Sequence, residues 1–64
     1  MKTPDLTYMS RGMFTTFMPN TLEGVTAWQE LAKQTDGTSK VPSAHAAATA
    51  RQLRAAGYTV RKLR

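Results

Sequence analysis

A chain of 64 residues with no cysteine has to hold itself together by packing alone, because neither a disulfide nor a thiolate metal site is open to it. Its single histidine, His45, makes no zinc site by itself. Chains this short bury too little surface for comfort and ordinarily add a covalent staple, a metal or a partner subunit. With the first two closed off, self-association is the remaining route, and a homodimer is expected.

The chain divides at its turn residues. Residues 1–7 hold Pro4, two threonines and no apolar period, and read as a flexible N-terminal arm ahead of one α+β domain over 8–64. From Tyr8 to Met18 the composition turns to Tyr, Met, Phe and Thr with Gly12 as an interruption, and Met13 to Met18 reads as a strand ended by Pro19. Asn20 and Glu23 have the spacing of a capping box, which predicts a helix from Thr21 to about Thr35. Leu22, Val25, Trp28, Leu31 and Ala32 share its apolar face. Asp36-Gly37 supplies a left-handed stop. Gly24 lies within that stripe, where glycine costs about 1 kcal/mol against alanine and is best explained by close approach of another backbone, for which the second helix is the expected partner.

Thr38 to Pro42 reads as a loop and Ser43 as the cap of a second, alanine-rich helix whose modest apolar face is Ala46, Ala50 and Leu53. Gly57 ends it, with Tyr58 folding back on Leu53. Tyr58 to Arg64 reads as a second strand. The predicted order is β-α-α-β. Its strands form an antiparallel two-stranded sheet on a helical pair, completed to four strands across a dimer.

Charge is unevenly spread. Residues 1–36 contain three bases and all four acids, whereas residues 37–64 contain six bases and no acid. Lys40, Arg51, Arg54, Arg61, Lys62 and Arg64 are therefore the candidate binding residues. Arginine outnumbers lysine among them, and its planar fork suits phosphate oxygens. The strand, helix, helix order around Thr15-Thr16-Phe17-Met18-Pro19 is similar in pattern to ribbon-helix-helix repressors. The alanine-rich second helix, the long interhelix loop and the final strand depart from that pattern, so no family is assigned on it.

Other motifs carry less. Gly37-Thr38-Ser39-Lys40 has residue types suited to anions but lacks the order of a phosphate-binding loop, and reads as a polar connection. His45 has no triad partner in recognisable context and the four carboxylates form no obvious pair, so no enzymatic activity, metal or cofactor is expected. Trp28, in phase with Leu31, is read as core or interface. No run approaches the ~20 apolar residues that cross a bilayer, and no hydrophobic signal core follows Met1-Lys2, so a cytoplasmic protein without a membrane role is expected. Together these features predict a small basic, non-enzymatic nucleic-acid-binding or regulatory accessory protein acting on DNA or RNA mainly through phosphate contacts. The alternative is an interaction module that docks an acidic protein.

Overall fold

A computed structural model of the chain describes residues 3–63. The elements are β1 (Leu6–Arg11), β2 (Phe14–Pro19), α1 (Leu22–Gln34), β3 (Lys40–Pro42), a 3₁₀ turn over Ser43–His45, α2 (Ala46–Ala55) and β4 (Val60–Lys62). The class is α+β, as expected, but one chain already supplies a four-stranded sheet, of order β3-β2-β1-β4. β2 runs antiparallel to both neighbours, while β4 lies parallel to β1. The expected antiparallel pair is thus replaced by a mixed sheet. β3 lies where the sequence reads as a loop, and β1 begins in the segment that reads as an arm.

The strand read at Met13 to Met18 is β2, and it forms a hairpin with β1, which the sequence reading left out. Gly12 takes φ +60 and heads a two-residue turn, the arrangement in which a left-handed first residue matches the twist of the flanking strands. Leu6, Tyr8 and Ser10 alternate inward along β1, against Phe17 and Thr15 of β2. Leu6 and Thr7 are buried, so the strand starts inside the segment read as an arm. The stacked rings of Tyr8 and Phe17, 4.8 Å apart, form the centre of the core.

Asp5, just ahead of β1, joins three distant elements. Its carboxylate accepts from the Thr21 hydroxyl at 2.7 Å and from the Thr59 N–H at 3.0 Å, and its carbonyl accepts from the Asn20 N–H at 2.8 Å. These bonds, led by that from Thr21, hold its pKa below the ordinary aspartate value. The α1 cap is Thr21, whose side chain accepts from the Gly24 N–H at 3.0 Å, one residue later than the expected box.

Of the predicted face of α1, Leu31 is buried, Trp28 packs against the core and Val25 and Ala32 are half-buried, with Gly24 and Ala27 buried beside them, whereas Leu22 is 84% exposed. Small residues let the helix sit close to the sheet. A Cβ on Gly24 would overlap the Asp5 carbonyl oxygen, so the close approach is real but is made by the chain entering β1, and not by α2. At the other end Asp36 and Gly37 both take left-handed φ, as the stop requires.

Ala46, Ala50 and Leu53 pack inward from α2 as expected. The helix closes with the predicted ending: Tyr58 N–H donates to the Leu53 carbonyl and Gly57 N–H to that of Arg54. Ser43 opens a 3₁₀ turn instead of capping α2. Its hydroxyl accepts from that of the fully buried Thr15, which is bonded in turn to Ser10, and donates to the Gly12 carbonyl. This hydroxyl chain ties the hairpin to the start of α2.

Candidate functional site

Strand alternation sorts the sheet into two faces. Leu6, Tyr8, Phe17, Val41 and Val60 point to the side on which both helices pack. The opposite face carries no helix. Across it, Arg11 pairs with Phe14 and Phe14 with Pro42; Met9 pairs with Thr16 and Thr16 with Lys40; Met18 pairs with Thr7 and Thr7 with Arg61. Phe14 is 53% exposed, Met18 40% and Leu63, just past β4, 47%. No strand residue on this face is acidic.

The predicted basic residues fall into two places. Arg51 and Arg54 lie three residues apart on α2, from which Arg54 reaches β4, while Arg61 and Lys62 lie on β4 itself, which is an edge strand. Arg54 donates from Nη2 (2.9 Å) and Nε (3.3 Å) to the Val60 carbonyl, which is not taken by β1. That contact fastens α2 to the strand edge and blunts the edge against pairing with another chain. Lys40 lies on β3, at the far edge of the sheet, three strands away from this group. Arg64 lies outside the described residues.

Arg54 is thus fastened to β4, whose Arg61 lies in register with Thr7 on the open face and whose Lys62 lies in register with Tyr8 on the covered one. Among the described residues none of Arg51, Arg54, Arg61 and Lys62 has a carboxylate within ion-pair distance; the pair present is Lys33 with Glu30 at 3.5 Å on α1. The acids sit elsewhere: Glu23 and Glu30 on α1, Asp36 in the turn that follows it, and Asp5 with its oxygens engaged by Thr21 and Thr59. Arg11, which the sequence reading did not select, joins the set because the hairpin folds it beside Phe14. Hairpin pairing is the signal that would have found it.

The backbone of the loop Gly37-Thr38-Ser39-Lys40 offers no N–H group to an anion. Its four N–H groups donate to the Ala32 carbonyl, the Thr35 carbonyl, the Thr35 hydroxyl and the Thr38 hydroxyl in turn. The Ser39 hydroxyl is spent on the Thr38 and Phe17 carbonyls. No cluster of three metal-ligating side chains occurs among the described residues, and none of their helices is long and apolar enough to cross a membrane.

A groove of about 460 Å³ separates the two helices, with Leu31, Val41, Leu53 and Tyr58 in its floor and Glu30 and His45 among its rim residues. His45 is exposed there. No family model matches the chain, and no match was found to a curated protein or to a solved structure. The site therefore stands on geometry and charge.

Proposed function

We propose that the protein binds nucleic acid without catalysing a reaction, and that the β4 edge with the adjoining flank of α2 is where the phosphates lie. The observation that carries this is that Arg51 and Arg54 on α2, the latter fastened to β4, and Arg61 and Lys62 on β4 have no carboxylate within ion-pair distance among the described residues. Uncompensated arginines gathered on one surface raise the local concentration of an anionic polymer and offer planar forks to its oxygens. Arg54 contributes charge more than contact, since its guanidinium is already bonded to Val60. The acids, gathered on α1 and its flanks, keep that side of the molecule away from the polymer.

Fluorescence anisotropy of labelled oligonucleotides across a salt series tests this. Three to four phosphate contacts give a slope of log affinity against log salt of about −3, and Arg51→Gln and Arg61→Gln each make it shallower by about one. Failure to bind any oligonucleotide at low salt overturns the reading and leaves an acidic protein as the partner to be sought.

A further inference from the structure

We infer that the nucleic acid taken by this surface is single-stranded, its unpaired bases lying on the open face of the sheet while its phosphates follow the cations around it. This rests on the reading just given and adds the class of ligand. The open face is apolar where bases would lie, with Phe14, Met18 and Leu63 all substantially exposed. It is cationic around them, with Arg11, Lys40 and Arg61 on three different strands of the same face. Every base has an apolar π-face that stacks on an aromatic ring, whatever its identity.

A duplex hides those faces. Three strand spacings of about 4.8 Å make the sheet roughly 14 Å wide before side chains are added, against a major groove of about 12 Å. A double helix can therefore touch the rim cations but leaves Phe14 and Met18 in water. A second copy of the chain is a poorer occupant, because packing this face on itself brings two sets of Arg11, Lys40 and Arg61 into one interface with no strand acid on either side. Lys40, isolated from the β4 cations by three strands, has a use in this arrangement: it holds the strand at the far edge of the platform.

The test is anisotropy with a labelled oligothymidine of about twelve nucleotides and with a duplex of the same length, using wild type, Phe14→Ala and Phe14→Tyr. The single strand is expected to bind roughly tenfold tighter than the duplex. Phe14→Ala is expected to weaken single-strand binding by roughly tenfold, to leave duplex binding unchanged, and to be rescued by Phe14→Tyr. Circular dichroism checks that each variant is folded. Equal binding of both probes with no effect of Phe14→Ala overturns this inference and leaves the phosphate reading standing, whereas loss of all binding in the wild type overturns both. A wild-type dimer in sedimentation that Phe14→Ala dissociates also overturns it, since a second copy then covers the face.

Discussion

On the covered face of the sheet Leu6, Tyr8, Phe17, Val41 and Val60 are buried under two helices, and neighbours one step along the same strands, Met18, Lys40 and Arg61, are exposed. Strand period alone separates the two sets. What differs is what each face needs. The covered face needs volume and satisfied polar groups, so Thr15 can be fully buried because Ser10 and Ser43 take its hydrogen bonds. The open face needs neither, and its mixture of Phe, Met, Arg and Lys has no value to the fold.

Substitutions at adjacent positions should separate those needs. Phe17→Ala removes a ring with no exposed surface and is expected to cost about 3–5 kcal/mol in urea unfolding, enough to unfold a domain of this size. Gly24→Ala forces a methyl group onto the Asp5 backbone and is expected to cost about 1–3 kcal/mol. A wild-type melting temperature in that variant shows that β1 and α1 are further apart than described.

Asp5 supplies a smaller, pH-dependent effect. Its pKa is lowered in the folded protein, so its contribution is complete above the unfolded aspartate value and is lost as pH falls through the depressed one. Melting temperature should drop across that acidic window in the wild type, and Asp5→Asn should flatten the drop while lowering stability at neutral pH. The smallest effect belongs to the open face: Phe14→Ala and Arg61→Gln are each expected to change unfolding free energy by less than about 0.5 kcal/mol. A large loss in either variant breaks the contrast between the faces.

Local rules recovered much of this. The Asp36-Gly37 stop, the Gly57 ending with its Tyr58 bond and the inward face of α2 follow from residues within one turn of each other. The inward face of α1 was legible at Gly24, Trp28 and Leu31 but not at its edges, because Ala27 carries little apolar area and Leu22, which carries more, is left in water. β1 was hidden because Ser10 and a polar Thr3-Pro4-Asp5 lead blur its alternation, and because Asp5 takes its meaning from a partner 54 residues away. β3 is three residues long and gives no periodic signal of its own. The cations were legible as a set, but which edge each one occupies depended on strand order.

Amide chemical-shift mapping of the full chain during titration with oligothymidine addresses the binding surface residue by residue. The largest shifts should fall on Arg61 and Lys62 of β4, on Arg51 of α2, on Arg11 and Phe14 of the hairpin and on Lys40, with α1 unmoved. Shifts confined to the interhelical groove around Leu31, Leu53 and Tyr58 would contradict that placement.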